Sequence, residues 1–228
     1  MSIKPKKHSE RQKLKEKMKV KASRMNTMNE LPLYTMIVSE GVKTEPLYLK
    51  GFVNKINEKY KYISKEPRIQ VYGTARNTQG LIRFVDGMIR NGKWEHFKKF
   101  WLVYDKDDFP LDNFDNTQFE AEARKAPKMA VAWSNESIEL WFLLHFQEYH
   151  ANNGRKQYIE KLKEYFDYSK TREDLYDVLM EKGSLEDAKR RAKKMYEEFL
   201  EAGERSMAAM VPATRLYELV EELEQYLE

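Results

Sequence analysis

The chain has 228 residues, of which 41% are hydrophobic, 34% charged and 13% aromatic, enough apolar material for one core of ordinary domain size. It contains no cysteine, which excludes a disulfide framework, a thiolate metal cage and a cysteine nucleophile. Its apolar runs, at 129–133 and 140–144, fall far short of the ~18 residues of a membrane span, and the basic N-terminus leads into no apolar signal segment. A cytoplasmic protein with no membrane association is expected.

The formal net charge of +4 is unevenly placed. Residues 1–25 carry Lys4, Lys6, Lys7, Arg11, Lys13, Lys15, Lys17, Lys19, Lys21 and Arg24 against Glu10 and Glu16, a local +8. The rest of the chain has 31 basic and 35 acidic residues, a net −4. Residues 1–30 lack apolar periodicity and read as a flexible basic arm, suited either to phosphate-backbone contact or to plain solvation.

Ordered structure is expected from Pro32. Residues 33–38 form a short apolar, β-branched run that reads as a buried strand. After Ser39-Glu40-Gly41, an amphipathic helix carries Leu47, Tyr48, Phe52, Val53 and Ile56, with Thr44 as its N-cap and Pro46 in the first turn. Residues 68–72 predict a second strand, and Leu81, Ile82, Phe84, Val85, Met88 and Ile89 a second helix. A third strand is predicted at 100–104, a helix at 117–126, a fourth strand at 129–133 and an apolar helix at 138–146. From about Gly154 no strand is expected, only charged amphipathic helices at 158–166, 185–200 and 214–227. Alternating strands and helices predict an α/β fold with a mostly parallel sheet flanked by helices, followed by a helical section. The expected organisation is an arm at 1–30, an α/β core at 31–150 and a helical section at 151–228 packed on that core.

In an open parallel sheet, sites form outside the carboxyl ends of the strands. Glu40 follows the first strand, Asp105 and Asp107 the third, and Ser134-Asn135-Glu136 the fourth, with Glu45 one turn into the first helix. Carboxylates converging on one edge repel unless a cation sits among them. Oxygen donors without His or Cys favour a hard ion such as Mg²⁺ or Mn²⁺.

The string Ile37-Val38-Ser39-Glu40-Gly41-Val42-Lys43-Thr44-Glu45-Pro46, with Tyr104-Asp105-Lys106-Asp107, resembles the Toprim signature of topoisomerases, primases and the overcoming-lysogenization-defect nucleases. With the block 134–146 and a weaker echo at Pro212-Ala213-Thr214-Arg215, the chain resembles the RloB-like family across about residues 33–220. That bacterial group is linked to restriction loci and abortive phage infection. The resemblance implies a Toprim-like fold and metal-dependent cleavage of DNA or RNA, tRNA included, with an ATPase partner encoded nearby. It leaves a homo-oligomer open. It also implies two Mg²⁺ or Mn²⁺ ions held by Glu40, Glu45, Asp105, Asp107 and a late acid, either Glu136 or Glu139. Glu139 is favoured because a carboxylate in an apolar helix needs a partner or an ion. Glu40, Asp105 and Asp107 are the catalytic candidates, with Glu40 bridging the ions or acting as base. Asp108 extends the acidic string and leaves open which later aspartate points inward.

Lys43, Arg76 and Lys106 are candidates for neutralising a scissile phosphate, each equally readable as a solvated surface residue. Gly73-Thr74-Ala75-Arg76-Asn77-Thr78 reads as a loop and helix cap. His145 reads as a packed core histidine, and His8, His96 and His150 are too scattered for a zinc site. The four tryptophans read as core, and no P-loop pattern occurs. A non-catalytic scaffold, binding nucleic acid through the arm and a partner through the C-terminal helices, is the alternative. A dehalogenase-type phosphatase fits poorly, because that chemistry needs its aspartate pair after the first strand.

Overall fold

The computed structural model describes residues 31–107 and 111–228, so the basic arm and Asp108 lie outside the described residues. Residues 33–228 form one compact unit. The first strand, β1 (Thr35–Ser39), leads into helix α1 (Thr44–Tyr60), then β2 (Ile69–Gly73), α2 (Thr78–Arg90), β3 (Lys99–Asp105), α3 (Leu111–Glu122), β4 (Lys128–Asn135) and α4 (Glu139–Leu144). The C-terminal part contributes α5 (Arg155–Lys163), α6 (Leu175–Lys182), α7 (Leu185–Glu201), a single 3₁₀ turn (Met207–Ala209), β5 (Ala213–Thr214) and α8 (Leu216–Gln225).

The sheet order is β2-β1-β3-β4-β5, parallel except for the β4–β5 pair. Central strand β3 reads Lys-Phe-Trp-Leu-Val-Tyr-Asp and is buried from Phe100 to Tyr104, as expected where helices cover both faces. Edge strand β2 is less buried, with Ile69 in the core and Tyr72 exposed. Helix α1 packs with α6 and α8, and α2 packs with α3. The core is aromatic: Tyr48, Phe52, Phe100, Tyr104, Phe114, Trp133, Trp141 and Phe142 are fully buried. Two of its indoles are hydrogen-bonded, Trp133 Nε1 donating to Gln118 Oε1 (2.8 Å) and Trp141 Nε1 to the Tyr48 hydroxyl (2.8 Å), while Trp101 Nε1 and the Tyr104 hydroxyl are buried without a hydrogen-bond partner. All four tryptophans are buried. Among the described residues no helix is long and apolar enough to cross a membrane.

Four sequence expectations need correction. Thr44 is the first helical residue rather than the N-cap, and its hydroxyl donates instead to the Lys170 carbonyl (3.1 Å). A strand does occur after residue 154: two-residue β5 pairs with Ser134 and Asn135 at the end of β4, too short to show periodicity. Helix α6 was not anticipated, although Leu175, Tyr176, Val178 and Leu179 form its buried face. The third helix also starts earlier than the expected 117–126.

Candidate functional site

The chain leaves β1 toward β2 on one side and returns past it to β3 on the other, so β1 and β3 flank the topological switch point. Their carboxyl ends carry Glu40 and Asp105. The Glu40 amide donates to the Val103 carbonyl (2.8 Å), extending the β1–β3 pairing by one residue and fixing Glu40 beside β3. Glu40, Glu45, Asp105, Asp107 and Glu139 line one open pocket of about 280 Å³, together with Lys43, Arg155 and Lys170.

Each acid is held in its own way. Thr78 Oγ1, in the first turn of α2, donates to Glu40 Oε2 (3.4 Å). Glu45 folds back so that its Oε1 accepts from the Gly41 amide (3.3 Å). A Cβ at position 41 would collide with that carboxylate, so glycine leaves Glu45 room to fold back. Gly73, at the end of β2, lets the 41–42 backbone approach closely, since a Cβ there would come within 2.6 Å of the Gly41 carbonyl. Asp107 sits in the left-handed region (φ 45°), tolerated by Asp, and its amide donates to the Glu136 carbonyl (3.2 Å). Its carboxylate forms an ion pair with the Arg155 guanidinium. Glu139 is 1% exposed and accepts from Ser137 Oγ (2.6 Å) and the Tyr168 hydroxyl (2.9 Å), with Lys170 Nζ at 3.4 Å.

Of the two late acids, Glu139 lines the pocket and Glu136 does not. Glu136 Oε2 instead accepts from the Arg155 amide (3.1 Å) at the start of α5. Lys43 lies exposed at the pocket. Arg76 is exposed outside its lining, with its guanidinium 4.9 Å from the Phe84 ring centre, and Lys106 is buried outside it. His145 is buried among Tyr48 and Trp141.

Burial and mutual repulsion raise three of these acids. Burial raises the Glu40 carboxyl to about 7, helped by the charges of Asp107 and Glu45 and opposed by the Thr78 bond. Asp105 keeps an opening to the pocket, yet protein encloses its carboxyl enough for burial to push it well above the ordinary range. The charges of Glu45, Glu139 and Asp107 add to that rise. Glu45 is raised by burial against the pull of the Gly41 amide, with Glu139 adding to the rise.

Five carboxyl groups face three cations here, a formal excess of two acids. Among the described residues, no three acids stand close enough together to form a ready-made ligand cage. Arg155 on Asp107 and Lys170 on Glu139 act as stand-in cations, and the all-oxygen donor set suits a hard ion. The residues therefore fit Mg²⁺ or Mn²⁺, provided that side chains move on binding.

Sequence reasoning missed Arg155, Lys170, Thr78, Ser137 and Tyr168. Asn77 Oδ1, accepting from the Gly80 amide (3.1 Å), is the N-cap that aims Thr78 at Glu40, and the Thr74–Thr78 loop pattern was its legible trace. Arg155 and Lys170 carry no local signal.

Fold and pocket define an α/β protein with an acid-lined site at the switch point of a parallel sheet. The RloB-like protein family matches residues 35–223, and the chain belongs to that family. Comparison with curated proteins and with solved structures returned no match.

Proposed function

We propose that the protein is a Mg²⁺- or Mn²⁺-dependent nuclease of Toprim type, hydrolysing phosphodiester bonds in DNA or RNA, including tRNA. Its role would be that of an effector in bacterial antiphage defence, working with an ATPase encoded nearby. The observation that carries the reading is the convergence of Glu40, Glu45, Asp105, Asp107 and Glu139 on one pocket at the strand ends.

Asp105, Asp107, Glu45 and Glu139 would hold the ions. Bound divalent ions supply Lewis acidity toward a phosphoryl oxygen and an activated water. Glu40 is hydrogen-bonded to Thr78, whereas Asp107 and Glu139 are ion-paired with Arg155 and Lys170. Burial is the main cause of its raised carboxyl and the charges of Asp107 and Glu45 add to it, so a cation beside these acids would favour the ionised, proton-accepting form. Lys43, exposed at the pocket, is placed to meet substrate phosphate.

The test is a cleavage assay of wild type, Asp105→Ala and Glu40→Ala on plasmid, single-stranded DNA and total tRNA, with and without the neighbouring ATPase. Cleavage in Mg²⁺ or Mn²⁺ by wild type, lost by at least 10²-fold in both variants, is expected. Full activity in both variants overturns the catalytic assignment, as does a wild type inert on every substrate in every condition.

A further inference from the structure

The cation on Asp107 comes from outside the α/β core. Arg155 is the first residue of α5, and its guanidinium pairs with the Asp107 carboxylate inside the acid-lined pocket. Its backbone is anchored, because the Arg155 amide donates to Glu136 Oε2 at 3.1 Å. Glu136 is also the residue whose carbonyl accepts from the Asp107 amide at 3.2 Å. One residue thus ties the base of the arginine to the base of the aspartate, while the arginine's long stem stays rotatable. Both side chains are about one third exposed, 32% for Arg155 and 30% for Asp107, so the pair faces open space.

A guanidinium does not shed its proton in proteins. A divalent ion on Asp107 would compete with Arg155 for the carboxylate and repel its fixed charge, which favours a swing of the side chain away from it. The anchored backbone limits that movement to the pocket and its mouth, where Lys43 also lies. A planar fork suits a phosphate, binding two of its oxygens at once. We propose that Arg155 is a two-position side chain: it plugs the metal seat at Asp107 in the metal-free protein and becomes a ligand of the substrate phosphate when a divalent ion displaces it. This rests on the metal-dependent reading above, and it assigns the pocket a phosphate subsite supplied by the helical section.

The proposal has an unusual signature, because one substitution should move two affinities in opposite directions. Mn²⁺ binding by calorimetry and binding of a fluorescent 12-nucleotide single strand in Ca²⁺ would be measured for wild type, Arg155→Ala and Arg155→Lys. Arg155→Ala should bind Mn²⁺ about tenfold more tightly, because the competitor is gone, and the oligonucleotide about tenfold or more weakly. Arg155→Lys should fall between, keeping the charge but not the fork. A purely structural arginine would weaken both affinities or neither. Unchanged or weaker Mn²⁺ binding in Arg155→Ala overturns the proposal, and so does unchanged oligonucleotide binding. Failure of Mn²⁺ to bind wild type and Arg155→Ala alike removes the metal-centre reading together with this one. Cleavage lost in Asp105→Ala alongside unaltered Mn²⁺ affinity in Arg155→Ala would retain the nuclease and remove only the plug.

Discussion

The Glu45 carboxylate folds back onto the Gly41 amide, so a side chain at position 41 would occupy the space that the carboxylate needs. The backbone there has no left-handed torsion, which makes Gly41→Ala a test of that contact alone. Displacing Glu45 should cost about 10–100-fold in Mn²⁺ affinity, the usual effect of losing a group that orients a metal ligand. The fold should survive, with unfolding still cooperative. Unchanged affinity on Mn²⁺ titration would remove Glu45 from the site. At this scale the acids were legible because strand ends are easy to place and acids after three strands are conspicuous. Their partners were not. The pairings of Asp107 with Arg155 and of Glu139 with Tyr168 span 48 and 29 residues, and no local pattern records them. The choice between Glu136 and Glu139 likewise turns on where α5 begins, which only the folded chain reveals.

The elements that carry these residues are braced from the C-terminal side. Thr214, in β5, exchanges a hydrogen bond with Ser134 (2.9 Å) and donates to the Trp133 carbonyl (3.1 Å), while Asn135 Nδ2 donates to the Met207 and Ala208 carbonyls. Every strand before residue 150 followed from apolar runs, whereas the strand order β2-β1-β3-β4-β5 is a property of the folded chain alone. β5 did not, because two residues held by side-chain bonds leave no periodicity to read. Helix α4 is braced too: Arg191 donates to the Leu144 carbonyl (2.7 Å) and the Ser184 amide to the His145 carbonyl (2.9 Å). His145 itself is buried, and neither ring nitrogen completes a hydrogen bond. Burial lowers its pKa to about 3, with Arg191 adding to the drop, although the Leu179 carbonyl is near enough to ease a proton's charge. The folded pKa lies below the ordinary 6.5, so the unfolded chain binds the extra proton between those values. Stability from this group is complete above about pH 6.5 and is lost as pH falls toward 3, by up to about 1.4 kcal/mol per unit. The raised acids Glu40 and Asp105 act in the opposite sense, so the informative quantity is a difference. Between pH 7 and 4.5, denaturant unfolding of His145→Leu should lose less stability than wild type. Parallel pH profiles would show that His145 keeps an ordinary pKa in the fold.

Across the whole molecule, charge is divided in a way that a nucleic-acid enzyme can use. Outside the first 25 residues the chain is net −4, and its pocket has two more acids than cations, so a polyanion approaching that body meets repulsion. Divalent ions remove the repulsion only locally, over roughly a Debye length of 10 Å. Longer-range attraction would come chiefly from the arm, whose +8 is the largest positive block in the chain. It stands ahead of the run Lys189-Arg190-Arg191-Ala192-Lys193-Lys194, whose charges are largely paired with acids of the same region. Backbone contacts of that kind release counterions, and the logarithm of affinity then falls with log salt by about 0.7 per neutralised phosphate on single strands and 0.9 on duplexes. Deleting residues 1–25 should therefore weaken oligonucleotide binding in Ca²⁺ and flatten its salt slope by several units. The Asp105→Ala variant should retain the full slope, because its loss lies in chemistry rather than attraction. Fluorescence anisotropy between 50 and 300 mM KCl separates the two effects, both ends being about the usual range for such slopes. An unaltered slope in the deletion would mean that the body finds its phosphate contacts elsewhere, with Lys43 and Arg155 the first positions to examine.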